Sequence, residues 1–179
     1  MTKILFVGPQ GSGKSTQARL LAQFLHLPYI STGDIFRRLR QENSEEGRAI
    51  KQILDSGELV DDQITAELVK KGLKDIDVQN GFIMDGYPRT LEQIKFFDPG
   101  FDKVFYLKLS DEEALKRLLK RGREDDTEDL IAERLRIYHE QTDPILDFYQ
   151  KKGTLITIDG EGIIEQIQDR IRRVIGGQE

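Results

Sequence analysis

Cysteine is absent from this 179-residue chain, and so is tryptophan. Without cysteine the protein can form no disulfide and no thiolate metal site, which is compatible with a reducing compartment. The first residues show no basic segment followed by an apolar one, and no apolar run approaches the roughly 18 residues of a membrane span. We therefore expect a cytoplasmic protein with no membrane partner.

A surplus of positive charge is also lacking. The chain has 27 lysine and arginine residues against 32 aspartate and glutamate residues, and its formal net charge is −5. Proteins that bind nucleic acids mainly through phosphates need an excess of basic residues, so we expect no nucleic-acid partner. A chain of this length is expected to fold as one domain, residues 1–179, with a sizeable core.

Short apolar segments alternate with segments of helical periodicity along the whole chain. The apolar segments, which predict buried parallel strands, are residues 4–7, 27–30, 82–84, 104–109 and 155–158. The helical segments are residues 15–25, 34–40, 62–73, 111–120, 127–149 and 163–174. In the longest one, Pro144 is expected to break or kink the helix, with Thr142 or Asp143 capping a new segment. The alternation predicts an α/β fold with helices on both faces of a parallel sheet and a ligand at the carboxyl ends of the strands.

The strongest functional signal directly follows the first apolar segment. Residues 8–16 read Gly-Pro-Gln-Gly-Ser-Gly-Lys-Ser-Thr, which is the phosphate-binding pattern G-x-x-x-x-G-K-[ST] in a strand–loop–helix setting. The glycines let successive N–H groups point at a phosphate, and the following helix directs its positive end to the same anion. Lys14 supplies a full charge for the β- and γ-phosphates, and the Ser15 hydroxyl is a candidate Mg²⁺ ligand. The residues predicted to bind the triphosphate are Gly11, Ser12, Gly13, Lys14, Ser15 and Thr16.

A second segment, residues 81–90, combines an acidic and a basic group. Asp85 ends a predicted buried strand, so its carboxylate is expected at the edge of the sheet, where it can hold Mg²⁺ through the water shell of the ion. Gly86 and Pro88 turn the chain, and Arg89 then faces the same cleft, where its guanidinium can hold a second phosphate bidentately. The two segments together predict two phosphate sites in one cleft.

These motifs resemble the adenylate kinases, within the nucleoside monophosphate kinase family, over nearly the whole chain. The matching pieces are G-P-Q-G-S-G-K-S-T at 8–16, S-T-G-D at 31–34 with Arg37, E-L-V at 58–60, D-G-Y-P-R-T at 85–90 with Gln93, and R-E-D-D at 123–126 with Arg134. The resemblance implies a three-layer P-loop NTPase fold with a five-stranded parallel sheet in the order 2-3-1-4-5. It also implies reversible phosphoryl transfer from MgATP to AMP, which gives two ADP.

The resemblance further implies individual roles. ATP would be bound by the loop residues together with Arg117, Arg121 and Gly162. AMP would be bound by a segment of about residues 31–60 and by Thr32, Arg37, Glu58, Leu59, Val60, Gly86, Arg89, Gln93, Arg123 and Arg134. The implied catalytic residues, whose cations converge on the transferring phosphoryl group, are Lys14, Arg89, Arg121, Arg123 and Arg134. Asp125 and Asp126 either orient these arginines or merely occupy a helix N-terminus.

Two other functions stay open. A UMP/CMP kinase is the nearer one, although such kinases usually carry alanine where this chain has Thr32 and asparagine where it has Thr90, and Gln93 also suits an adenine edge. A P-loop protein that binds nucleotides without transferring a phosphoryl group is the other. The sequence has no Asn-Lys-x-Asp guanine signature and carries a second predicted phosphate site, and both features disfavour it.

The chain departs from the family between Arg121 and Asp125. Only residues 122–124 lie between them, whereas even the short-lid members have a longer insert and the long-lid members carry a small domain that can bind zinc through cysteines. With no cysteine and no insert, the sequence excludes a zinc lid and leaves a minimal lid at about residues 121–127. We expect a monomer, with an oligomer as the alternative if a neighbouring subunit closes the site.

This short connection generates a first prediction. The lid in this family closes over ATP and expels water, which strengthens arginine–phosphate interactions and limits hydrolysis. Because a few residues cannot fold into a cover, we expect one of two outcomes: appreciable ATP hydrolysis without AMP, or closure by the AMP-binding segment or a neighbouring subunit. ATPase assays without acceptor and light scattering check this. A monomer with negligible hydrolysis would leave only closure by the AMP-binding segment.

Overall fold

The computed structural model describes residues 1–41, 44, 47–48, 50–52, 60–74, 76–122 and 126–177. The strands within these residues are β1 (Thr2–Val7), β2 (Tyr29–Ser31), β3 (Gly81–Asp85), β4 (Lys103–Lys108) and β5 (Leu155–Asp159). The helices are α1 (Lys14–Leu25), α2 (Thr32–Gln41), α3 (Asp62–Lys74), α4 (Leu91–Phe96), α5 (Asp111–Arg121), α6 (Glu128–Lys151) and α7 (Ile164–Ile175).

The strands form one parallel sheet in the order β2-β3-β1-β4-β5. This order and the α/β class confirm the expected fold. The neighbouring strands β1 and β3 are apolar on both faces, over residues 4–7 and 82–84, and every residue of β3 is buried. Strands of this kind need helices on both sides, because neither face of the sheet can be left to water.

Alternation along β1 divides the core into two layers. Ile4 and Phe6 face one side, where they pack with residues of α1 and α7. Leu5 and Val7 face the other side, where they pack with residues of α2, α3 and α6. Because successive side chains of a strand point to opposite faces, a run of only four apolar residues serves both cores. Among the described residues, no helix is both long and apolar enough to cross a bilayer.

The expected break at Pro144 is wrong. Helix α6 runs from Glu128 to Lys151 with Pro144 inside it, and neither Thr142 nor Asp143 caps a new helix. The N-cap is Thr127, whose hydroxyl accepts a hydrogen bond from the Leu130 N–H at 3.4 Å. Tertiary packing outweighs the lost backbone hydrogen bond, since Ile145 and Tyr149 on the same helix are completely buried.

Most helix and strand boundaries also differ from expectation, each by one or two residues. The strand predicted at residues 27–30 lies at Tyr29–Ser31, because the Leu27 N–H still bonds to the Ala22 carbonyl at the end of α1 and Pro28 has no N–H to donate. The helix expected from residue 34 begins at Thr32. The short helix α4 was not predicted; Thr90 caps it by accepting from the Gln93 N–H at 3.1 Å.

The position of Pro144 generates a stability prediction. Its ring is exposed, and it removes a helical hydrogen bond to the Glu140 carbonyl. Pro144→Ala should therefore raise the free energy of unfolding by about 1–2 kcal/mol. Alanine is favoured over proline inside a helix by roughly 3 kcal/mol, but the unfolded chain with alanine has greater conformational entropy, which offsets part of that gain. Urea unfolding measures this, with Gln150→Ala, at another exposed position of the same helix, as the control. A destabilised Pro144→Ala variant would contradict it.

Candidate active site

The carboxyl edge of the sheet gathers the loop after β1 and the ends of β2 and β3. Gly11 and Gly13 have φ angles of +84° and +81°, which favour glycine. Gly13 is the N-cap of α1 and supplies no side-chain cap, so the first amides of that helix face the loop without a competing side chain. The Ser12 hydroxyl is buried and has no hydrogen-bond partner among the described residues. The amides at the start of α1 and the unpartnered Ser12 hydroxyl are hydrogen-bond donors that suit an anion.

Lys14 lies where two cavities meet. The loop cavity, about 370 Å³, is lined by Gln10, Gly11, Gly13, Lys14, Ser15, Thr16, Arg117, Leu118 and Arg121. The cleft cavity, about 240 Å³, is lined by Phe6, Val7, Gly8, Gln10, Lys14, Gly86, Pro88, Arg89, Arg134, Ile137, Tyr138, Gln141 and Thr142. Each cavity has its own arginines, and both include the ammonium-bearing side chain of Lys14. Phosphates bound in the two cavities would therefore approach one another across Lys14.

The electrostatics of Lys14 favour an anion. Burial lowers the pKa of its ammonium group below the usual range; Asp85 opposes this, while Arg89 and Arg121 lower it further. Lys14 thus lies near one carboxylate, Asp85, and two further cations, Arg89 and Arg121. A polyanion would stabilise the charged form of Lys14, because it supplies the negative charge that Asp85 alone cannot.

Asp85 has the features of a group that holds a hydrated metal ion. The residue is 5% exposed, and its Oδ2 accepts from the hydroxyl of Ser15 and, at 3.1 Å, from that of Tyr29. Oδ1 is buried without a hydrogen-bond partner among the described residues. Burial and Asp85 both raise the pKa of Tyr29, so this hydroxyl stays protonated and donates. An unpartnered carboxylate oxygen beside the Ser15 hydroxyl fits the oxygen chemistry of Mg²⁺.

Asp126 brings two of the predicted arginines together. Its side chain is fully buried and accepts from Arg121 Nε at 2.8 Å and Nη2 at 2.6 Å, with Arg134 Nη1 3.6 Å away. The bidentate geometry fixes the guanidinium plane of Arg121. Of the two roles left open for this carboxylate, the contacts favour the orienting one. Arg123 and Asp125 lie outside the described residues.

On the other side of the cleft, Thr32 and Gly86 are in close contact. The Thr32 hydroxyl is buried without a hydrogen-bond partner among the described residues, and Gly86 has a φ of +91°. A Cβ at Gly86 would lie 2.4 Å from Thr32 Oγ1. Arg89 is held beside them, since its Nε donates to the Gly86 carbonyl at 3.0 Å.

The Gln93 amide is turned into the protein. Its Oε1 accepts from the Arg89 N–H at 2.7 Å, and its Nε2 donates to Asp62 Oδ1 at 2.8 Å. Asp62 also accepts from the Thr90 hydroxyl at 2.8 Å. A primary amide has two donors and two lone pairs, so one of each is left after these contacts. Gln93 can thus contact a base only in addition to its structural role.

Other predicted site residues lie farther from the two cavities. Arg37 pairs with Asp34 on the surface, and its side chain is 68% exposed. Val60 is half-buried, while Glu58 and Leu59 lie outside the described residues. Gly162, with a φ of +114°, follows β5 in the loop whose Gly160 carbonyl accepts from Arg117 Nη1 at 3.1 Å.

Sequence reasoning missed three residues of this region. Gln10 lines both cavities, but it occupies a variable position of the loop pattern and carries no signal. Asp62 is visible only as an acidic residue at the start of a helix, a common position for one. Tyr29 resembles any strand tyrosine, and its contact with Asp85 could be found only from the pairing of β2 with β3.

The close approach of Gly86 to Thr32 yields a prediction. Gly86→Ala should destabilise the protein by more than the roughly 1–2 kcal/mol of a left-handed non-glycine residue, because the new methyl group also displaces Thr32. Gly100→Ala is a matched control: its φ is +71°, and a Cβ there meets no atom of the described residues within 4 Å. Urea unfolding of both variants separates the cost of the positive φ from the cost of displacing Thr32. Equal losses of unfolding free energy would show that the contact with Thr32 adds no cost.

Comparison with known proteins places the chain in one group. The family model described as adenylate kinase matches residues 6–154. Adenylate kinase 1 of Nostoc sp. is 40% identical over an alignment that covers 98% of this chain and 100% of that protein. The adenylate kinase of Kocuria rhizophila is 42% identical, with 96% and 97% covered, and that of Corynebacterium urealyticum is 40% identical, with 93% and 95% covered.

Proposed function

Since the chain belongs to the adenylate kinase family, we propose that it transfers a phosphoryl group reversibly from MgATP to AMP, giving two ADP. The observation that best supports this reaction is the place of Lys14 between two cavities with their own arginines. One such cavity would suffice for a protein that only binds ATP. Two cavities that meet at a cation suit a donor and an acceptor phosphate.

ATP is the proposed ligand of the loop cavity. The amides around Gly11 and Gly13 and the hydroxyls of Ser12, Ser15 and Thr16 would surround its phosphates. Arg117 would lie over the base, beside the loop that contains Gly162, because its guanidinium already contacts the Gly160 carbonyl.

Ser15 and Asp85 are the proposed residues for Mg²⁺, the first directly and the second through water. When bound, the ion would neutralise charge on the β- and γ-phosphates. The chain contributes a carboxylate whose Oδ1 is buried and unpartnered among the described residues, and whose Oδ2 is already held by Ser15 and Tyr29. No zinc is proposed, because the sequence has no cysteine.

Catalysis is proposed to depend on position and charge. Lys14, Arg89, Arg121 and Arg134 line the cavities on both sides of the transfer, and Arg123 is proposed to join them. Their charges would stabilise the oxygens of the transferring group. No general base is required, because the AMP phosphate is already ionised at neutral pH.

AMP is the proposed ligand on the side of Arg89. The unpartnered Thr32 hydroxyl next to Gly86 and the remaining amide capacity of Gln93 support recognition of a base there. Arg37 would have to exchange Asp34 for the AMP phosphate, which costs little because the ion pair is exposed. Glu58, Leu59 and Val60 are proposed to complete this segment, about residues 31–60, opposite a minimal lid at about 121–127.

We also propose a cytoplasmic monomer. The absence of cysteine is compatible with a reducing compartment, and residues of one chain line both cavities. An oligomer is the alternative if a neighbouring subunit covers the loop cavity. Light scattering of the purified protein decides between them.

The direct test of function is an acceptor panel. Purified protein with MgATP is given AMP, CMP, UMP or GMP, and diphosphate formation is followed. We expect AMP to be preferred by a large factor in kcat/KM. A preference for UMP or CMP would support the alternative nucleotide kinase, and ATP binding without turnover on any acceptor would support a binding protein.

Lys14→Met tests the donor side. We expect kcat/KM to fall about 100- to 1,000-fold with the fold intact, because a charge aimed at the transferring group is lost. Lys152→Met is the control, since that lysine pairs with Asp98 on the surface 2.9 Å away. Near-normal turnover by a folded Lys14→Met variant would remove the loop from the catalytic site.

Arg89→Ala tests the acceptor side. We expect the KM for AMP to rise about 10- to 100-fold while ATP affinity changes little, because a charge-assisted contact to the AMP phosphate is lost. Arg136→Ala is the control, because Arg136 pairs with Glu133 and Glu140 on the exposed surface of α6. If Arg89→Ala weakened ATP binding and left the KM for AMP unchanged, the donor and acceptor sides of the cleft would be the reverse of those proposed.

A further inference from the structure

We propose that Tyr29 is a positioning residue for the Asp85 carboxylate, and that Arg19 in turn holds the ring of Tyr29. This inference rests on the proposed function, since it concerns the carboxylate assigned to the metal ion. It adds residues that contact neither nucleotide in the proposed site. Tyr29 comes from β2 and Arg19 from α1, so the assignment joins the sheet edge to the helix that follows the phosphate loop.

The contact itself spans the pairing of two strands. Ser31, not Tyr29, lies opposite Asp85 in the β2–β3 register, so the tyrosine ring reaches along the sheet edge to the carboxylate. Its hydroxyl lies 3.1 Å from Asp85 Oδ2, the oxygen that also accepts from Ser15. Two hydroxyl donors from different elements therefore meet on one oxygen.

This arrangement restricts rotation of the carboxylate. Oδ1 is buried and without a partner among the described residues, so it is the acceptor left for the water shell of the metal. Ser15 is itself a candidate metal ligand, and its hydroxyl geometry must suit the ion as well as Asp85. Tyr29 is not a candidate metal ligand, so its hydroxyl geometry does not have to suit the ion. Its donor keeps Oδ2 in place whether or not the metal is bound.

Arg19 restricts the ring of Tyr29. Its guanidinium carbon lies 4.4 Å from the ring centroid, and its Nη2 lies 3.4 Å from Asp34 Oδ2. Stacking of a guanidinium on a tyrosine face favours one ring orientation. The ring is only half-buried, so this contact supplies part of the constraint that packing provides in a core.

A purely structural role would depend on the ring and not on its hydroxyl. Tyr29→Phe keeps the ring and removes one donor, and the variant is expected to fold. Tyr149→Phe is the matched control: it removes the same atom from a buried tyrosine whose hydroxyl has no partner among the described residues. Arg19→Leu keeps an apolar stem over the ring and removes the charge.

The experiment titrates Mn²⁺, as a probe for Mg²⁺, into protein saturated with ATP and follows water-proton relaxation. The wild-type complex should bind Mn²⁺ more tightly than ATP alone does. Tyr29→Phe should weaken Mn²⁺ binding about 3- to 10-fold, the loss of one hydrogen bond to a charged group, with metal-free ATP affinity unchanged. Arg19→Leu should weaken it less, and Tyr149→Phe should not. In the Asp85→Asn background, Tyr29→Phe should have no further effect.

Kinetics supply a second readout. Tyr29→Phe should raise the Mg²⁺ concentration for half-maximal transfer by a similar factor and leave the KM for AMP unchanged. Unaltered Mn²⁺ binding in Tyr29→Phe, an equal loss in Tyr149→Phe, or a full effect in the Asp85→Asn background would each overturn the assignment of Tyr29 alone. A wild-type complex that bound Mn²⁺ no better than free ATP would overturn the metal role of Asp85, and the role of Tyr29 with it.

Discussion

The charge of Lys14, a partly buried side chain, is the constraint on which the rest of the site depends. An ammonium group taken out of water beside Arg89 and Arg121 is destabilised, and the lowered pKa of Lys14 expresses that cost. Asp85 compensates only in part. The packing of the sheet, in which every residue of β3 is buried, offsets this cost. A bound polyphosphate would remove the penalty, so the same imbalance that costs stability favours the ligand.

Arg121 and Arg134, unlike Lys14, are held in place by a buried carboxylate. Arg121 ends α5 and Arg134 lies within α6, and the buried Asp126 carboxylate between them limits their mutual repulsion. The two helices are joined below this point by an apolar cluster formed by Leu109, Ala114, Leu118, Ile131 and Leu135. Arg121, at the start of the proposed minimal lid, thus extends from the packed fold. Preorganised cations of this kind need little rearrangement at the moment of transfer.

Much of the architecture could be predicted, because it follows from short-range patterns. The strands and the phosphate loop are as expected, although β2 begins two residues later than predicted because Pro28 cannot donate. The sheet order is also as expected, but it was implied by the resemblance to the adenylate kinases and not by these patterns. The break at Pro144 was a wrong prediction, because helix rules do not include the burial of Ile145 and Tyr149 beyond it. The roles of the individual site residues stay predictions.

By itself, the sequence determined the local conformation of the loop and the charge types at the strand ends. Glycine φ angles and the amides of a helix N-terminus depend on neighbouring residues only. Only the tertiary structure decided which side chains contact these charged and polar groups. Ser15 and Tyr29 meet Asp85 across 70 and 56 residues of chain, and Gln93 turns to Asp62 across 31. Such contacts depend on strand register and helix packing, which no local pattern encodes.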